Sequence, residues 1–203
     1  MNASPSARRG REVRERLRTA AAELIAERGW NAVSTRLLAD RAGVGPGLVH
    51  YHFPSLQALL SEAALGTVRA LADELGALLD RADGLDDGLT ALLAALDHYD
   101  GRDATSLLFS EVYLAAARDA ELGASLADVL AATRSRIARW LAAHDAPTPE
   151  DTAAVLTAAL DGVMLHRPLD AHLTSAHVAP VLRRALHPRT PPAGRTGERN
   201  GQT

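Results

Sequence analysis

His50, Tyr51 and His52 follow one another inside Gly45-Pro46-Gly47-Leu48-Val49-His50-Tyr51-His52-Phe53. Two imidazoles beside a phenol can ligate a metal, move protons, or donate hydrogen bonds to a polar partner. Metal ligation fails on geometry, because residues i and i+2 of a helix point to different faces. No carboxylate nearby completes a ligand set either. Catalysis lacks companions: there is no Cys, and no G-x-S-x-G elbow, H-E-x-x-H helix or Gly-rich phosphate loop. Neither an enzyme nor a metal or other cofactor is expected. Hydrogen-bond donation to a partner remains.

The elements around the run agree with that role. Val13, Leu17, Ala21, Leu24 and Ile25 recur at helical spacing, and Gly29 closes their helix. Ser34 caps a second short helix to about Ala42, burying Leu37, Leu38 and Ala42. Gly43-Val44-Gly45 breaks the chain, and Pro46 suits the first position of a third helix. That helix ends near Phe53, before Pro54, and Ser55 caps a fourth running to about Arg81. A helix, a short glycine-containing turn and a second helix make a helix-turn-helix, whose second helix enters the DNA major groove. Small residues at Gly45, Pro46 and Gly47 let its N-terminus approach the duplex, where free amides meet phosphate. Val49 and Phe53 then face inward, while His50, Tyr51 and His52 supply donors toward DNA.

Composition supports this. Ala and Leu dominate the 47% hydrophobic residues and aromatics are only 3%, which favours an all-α fold. The net charge of −3 is unevenly spread. Residues 1–56 carry nine Arg against five acidic residues (+4), and the remainder thirteen Arg against twenty (−7). A basic first quarter on an acidic body puts the polyanion contact at the N-terminal end. No apolar run reaches the roughly 18 residues of a membrane span. The first residues lack the apolar stretch of a signal peptide, so cytoplasmic residence is expected.

Further helices are predicted over about 86–99, 103–117, 120–143, 149–166 and 175–186. Thr148-Pro149-Glu150-Asp151 reads as a helix start with a cap, a first-turn proline and two acids. Pro180 should kink the last helix or delay its start. Residues 188–203, rich in Pro, Gly and polar side chains, are expected to be disordered.

Gly29 to Leu60 resembles the DNA-binding segment of TetR-family transcriptional regulators. The resemblance rests on Gly29-Trp30, Ser34, Leu38-Ala39, Ala42-Gly43-Val44 and His52-Phe53 in fixed register. It implies a three-helix DNA-binding domain over residues 11–71, with the helix-turn-helix at about 34–53. A long helix would join this to a helical ligand-binding and dimerisation domain over 72–187. Residues 1–10 would form a basic arm, with Arg8, Arg9 and Arg11 reaching a minor groove. The DNA-contact set is completed by Ser34, Thr35, Arg36, Gly45, Pro46 and Gly47 beside His50, Tyr51 and His52. Three positions depart from the family pattern: Gly45 replaces a capping Ser or Thr, His50 a common Tyr, and Leu56 a frequent Lys.

The resemblance further implies a repressor that binds a palindromic operator on double-stranded DNA as a dimer. A small apolar molecule in the body would release it. Candidate effector contacts are Tyr99, Phe109, Tyr113 and Met164, because aromatics are scarce and Phe109 and Tyr113 share a helix face. Ordinary core packing would place them equally well. An anionic effector fits poorly unless an Arg such as Arg134 points inward. Ala153, Ala154, Ala158, Ala159 and Gly162 permit close helix approach. The resemblance makes the last two helices a homodimer interface, although a single-chain bundle helix shows the same pattern. The alternative function is a helix-turn-helix protein with no small-molecule ligand.

Overall fold

The computed structural model describes residues 4–170 and 172–187; the tail expected to be disordered lies outside them. The described residues form nine α-helices and one turn of 3₁₀-helix, with no strand.

Helix α1 runs Pro5–Arg28. The Ser4 hydroxyl accepts from the Ala7 amide at 3.3 Å, and Pro5 fills the first turn. Arg8, Arg9 and Arg11 are therefore helical residues and not a flexible arm. The helix ends at Gly29, whose φ of 82° suits only glycine comfortably, and a 3₁₀ turn follows at Trp30–Ala32.

Helix α2 spans Thr35–Ala42, with Ser34 accepting from the Leu37 amide. It closes in a Schellman pattern at Gly43 (φ 63°): Val44 donates to the Ala39 carbonyl and Gly43 to that of Asp40. Leu38, Ala39 and Ala42 are buried, whereas Leu37 is only partly so. Helix α3 is short, Pro46–His52. These helices and the start of α4 enclose Leu17, Leu24, Ile25, Leu38, Val49 and Phe53. Burying such side chains is the main favourable contribution here.

Helix α4, Leu56–Leu79, begins in this bundle and continues into the body, packing on α1, α5, α6 and α7. A boundary between residues 71 and 72 thus falls within one continuous helix. The body adds α5 (Leu85–Leu96), α6 (Ala104–Ala116), α7 (Ala120–Ala143), α8 (Pro149–His166) and α9 (Ser175–Leu186). Thr148 does not cap α8 as expected. It adopts φ 42°, costly for a β-branched residue, and its hydroxyl takes no cap bond. Pro180 does not delay α9, which starts at Ser175. No helix among the described residues is long and apolar enough to cross a membrane.

Candidate DNA-reading face and effector cavity

The turn between α2 and α3 presents α3 on the surface. Val49 and Phe53, four residues apart, are buried, while Tyr51 is 80% exposed and His50 is also exposed. His52 differs from them: it is half-buried, turned toward Gly10 of α1, with its ring edge-on to Tyr51 at 5.0 Å. The C-terminal end of α3 is held by Arg14, which donates to the His52 carbonyl at 2.8 Å and lies 4.2 Å over the Phe53 ring. Arg14 also pairs with Glu62 of α4, so it is engaged inside the fold.

At the other end, α3 has no side-chain cap, as Gly45 in place of Ser or Thr implies. A Cβ added at Gly45 or Gly47 would meet nothing within 4 Å. The φ of Gly45, −70°, is open to any residue. Nothing among the described residues demands glycine at these positions. Pro46, Gly47 and Leu48 are exposed around them.

Cations border this face. Ser34 and Arg36 are exposed and Thr35 half-buried at the start of α2. Among the described residues Arg9, Arg11, Arg16 and Arg36 form no ion pair, whereas Arg8 pairs with Glu12 at 3.6 Å. Arg41 is held on α1 by Glu23 and Glu27, and its hydrogen bond holds the Glu27 carboxyl below the usual carboxylate range. Sequence reasoning overlooked Arg16. It stands seven residues after Arg9 on the same face of α1, and both line the groove between α1 and α2. That spacing was the available signal.

The body is not completely filled. A narrow cavity lies among α4, α5, α6, α7 and α8, with about 60 Å³ open to water-sized molecules. Val68, Leu71 and Leu75 of α4, Phe109 of α6, Ile137 of α7 and Leu160 of α8 are among its walls. Of the four expected effector contacts only Phe109 lines it. Tyr113 stands behind the wall and reaches it through Asp161, to which its hydroxyl donates at 2.7 Å. Tyr99 and Met164 are not on the cavity. Tyr99 follows the end of α5, where its carbonyl accepts from Arg167. Met164 is closed into the core one turn beyond Leu160, the last apolar wall that α8 supplies. Arg134 is exposed, and it is Arg136 that borders the cavity.

Polar wall residues escaped the sequence reading as well. Thr157 and Asp161 interrupt an apolar helix at i and i+4, a pattern that places both on one inner face. Burial raises the pKa of Asp161, an effect that the Tyr113 hydrogen bond and the Arg134 charge oppose. Burial first, then the bond to Asp161, pushes the Tyr113 phenol up.

A third surface remains. Ala154, Val155 and Ala158 of α8 and Val181 and Ala185 of α9 are exposed together, Val155 at 62% and Val181 at 56%. The space over Gly162 is open.

Two short helices joined by a tight turn, on a helical body with a cavity among its helices, make the architecture of a helix-turn-helix regulator. The chain matches the family model of bacterial regulatory proteins, tetR family, over residues 17–63. It matches that of the tetracyclin repressor-like C-terminal domain over residues 81–188. This protein belongs to the TetR family of DNA-binding transcriptional regulators. The crystal structure of a candidate transcriptional regulator from Streptomyces coelicolor A3(2) is similar, with 28% identity and a TM-score of 0.74. The match covers 87% of this chain and 99% of that one. A transcriptional regulator from Rhodococcus sp. Rha1 is 27% identical over 85% of this chain and 93% of its own, with a TM-score of 0.68. A candidate transcriptional regulator from Saccharomonospora viridis, solved with choline, shares the fold at 20% identity and a TM-score of 0.68, over 87% and 97% of the two chains. No protein of curated function matches the sequence.

Proposed function

We propose that this regulator binds a palindromic operator as a homodimer, represses transcription there, and leaves DNA when a small molecule enters the body cavity. Helix α4 carries the reading: Val68, Leu71 and Leu75 wall the cavity, and the same helix begins at Leu56, three residues after buried Phe53. A ligand that tilts α4 moves α3 with it. Two recognition helices must sit about 34–36 Å apart to read successive major grooves. A ligand that favours another separation therefore weakens DNA binding, and DNA weakens ligand binding by the same factor. That the S. viridis protein was solved with choline is consistent with a helical body of this kind holding a small molecule.

Contacts from α3 would come from His50 and Tyr51, with Gly45 and Gly47 kept small because a duplex backbone approaches there. His52 would act chiefly through its carbonyl, held by Arg14. Arg9, Arg11, Arg16, Arg36 and the α2 start at Ser34 and Thr35 would meet phosphates, with Arg8 at the margin. The exposed apolar face of α8 and α9 would bury against the same face of a second copy, in line with two-fold operator symmetry. The test is a footprint on the DNA flanking the protein's own gene, repeated with Ala158→Arg. A palindromic footprint that the variant loses as it becomes monomeric in sedimentation supports the reading. An unaltered dimer moves the interface elsewhere.

A further inference from the structure

The polar groups of the cavity are unevenly matched. The hydroxyls of Thr133 and Thr157 donate to carbonyls of their own helices, Val129 and Ala153. The Arg136 guanidinium is tied to Asp80 and lies 3.8 Å from Asp73. The Tyr113 hydroxyl donates a hydrogen bond to one oxygen of Asp161, and the other oxygen accepts no hydrogen bond among the described residues. No cation lies within ion-pair distance of Asp161 there; Arg134 acts on it only from the exposed side of α7. The cavity thus sets one carboxylate with no cation in ion-pair distance among the described residues against largely apolar walls, while the Arg136 cation on its lining is tied to Asp80. A half-buried carboxylate without a counter-charge is less favourable than one in water, and a ligand that brings the charge relieves it.

We propose that the effector is a compact alkylamine, protonated and with at least one N–H, whose ammonium pairs with Asp161 while its hydrocarbon part fills the space beside Phe109, Leu71 and Ile137. This deepens, and rests on, the reading of the cavity as the effector site. The N–H supplies the donor that the free Asp161 oxygen lacks. The rings of Phe109 and Tyr113, 4.9 Å apart, add electron-rich faces beside the charge. A neutral alcohol would donate to the same oxygen and leave the charge uncompensated. An anion would add repulsion.

Calorimetric titration of the full-length protein with primary amines from butylamine to octylamine, each beside the alcohol of equal length, tests this. We expect the best amine to bind at least about tenfold tighter than its alcohol, a difference of one decade in Kd. Asp161→Asn should abolish that preference while leaving alcohol binding within about twofold, the isosteric amide still accepting from Tyr113. Phe109→Ala should weaken both series, which locates binding in this cavity. Alcohols that bind as well as amines, or an amine preference that survives Asp161→Asn, overturn the amine assignment and leave the effector cavity standing. If neither series binds, the assignment and the effector reading of this cavity fall together.

Discussion

Trp30 donates its backbone N–H to the Glu111 carboxylate at 2.7 Å, joining the turn that ends α1 to helix α6 of the body. The Trp30 indole meanwhile donates to Gln57 of α4 at 3.0 Å. Phe109, Glu111 and Tyr113 thus place the cavity wall, the reading-head contact and the Asp161 partner on five residues of α6. Together with α4 this makes a second structural link between the cavity wall and the helix-turn-helix.

Removing the Glu111 carboxylate orphans a partly buried amide. Glu111→Ala should lower the free energy of unfolding by about 1–2 kcal/mol, and Glu111→Gln, which keeps an acceptor, by less than half of that. Urea denaturation decides it. Equal stability of all three proteins would mean that the bond does not persist in solution.

The face assignment of α3 separates stability from recognition. Phe53→Ala should cost about 3–5 kcal/mol, because it opens a buried site and removes the platform under Arg14. Tyr51→Ala and His50→Ala should stay within about 0.5 kcal/mol of the parent yet weaken operator binding. Melting curves alongside fluorescence anisotropy on the footprinted site give both quantities. Similar melting losses for the three variants would reverse the assignment.

Phosphate neutralisation declares itself through salt. Replacing Arg9, Arg11 and Arg16 together by Gln should flatten the slope of log affinity against log salt by roughly 0.9 for each phosphate that an arginine no longer neutralises. The weakening should be alike on operator and on unrelated DNA, since phosphates carry no sequence. An unchanged slope takes these side chains off the duplex.

Asp161 has a signature in pH. Its folded-state pKa is raised above the ordinary value of 3.8, so the native state holds this proton more tightly than the unfolded chain. The contribution is present in full below 3.8 and disappears as pH climbs through the raised value. Asp161→Asn stays neutral throughout, so its melting temperature should gain on the parent as pH rises from acid toward neutral. A constant difference would show that the carboxyl is not perturbed in solution.

Much of this architecture could be read from the chain because its signals are local. Thr35–Ala42 and Pro46–His52 follow from Ser34, Gly43 and Pro46, and the ranges expected for α7, α8 and α9 coincide with those observed, although Thr148 does not cap α8. The start of α1 is equally local in Ser4-Pro5, whereas the resemblance implies a basic arm over residues 1–10. Cavity membership is another matter. Periodicity says which face of a helix is apolar, not which helix stands across from it. Phe109 and Met164 look alike in that respect, and only the packing of α4, α6, α7 and α8 separates them. Arg136 was hidden for the same reason: its guanidinium rests against α4 because Gly76 lacks a Cβ, which would lie 2.2 Å from it. That proximity joins residues sixty apart in sequence.

Helix α3 has only seven residues, no side-chain cap, a first residue without an amide proton and a second that is glycine. So short a segment has no helical stability of its own, and here it is moored by Val49, Phe53 and the Arg14 clasp at its far end. Its leading turn should therefore exchange amide hydrogens among the fastest of any helix in the DNA-free protein. Under the proposed function, ordering that turn would fall to the encounter with the duplex, an entropic penalty that a Ser at position 45 would settle during folding. On the same reading, such a turn would adjust to the groove it meets, and discrimination between related operators would pass partly to the DNA's own shape.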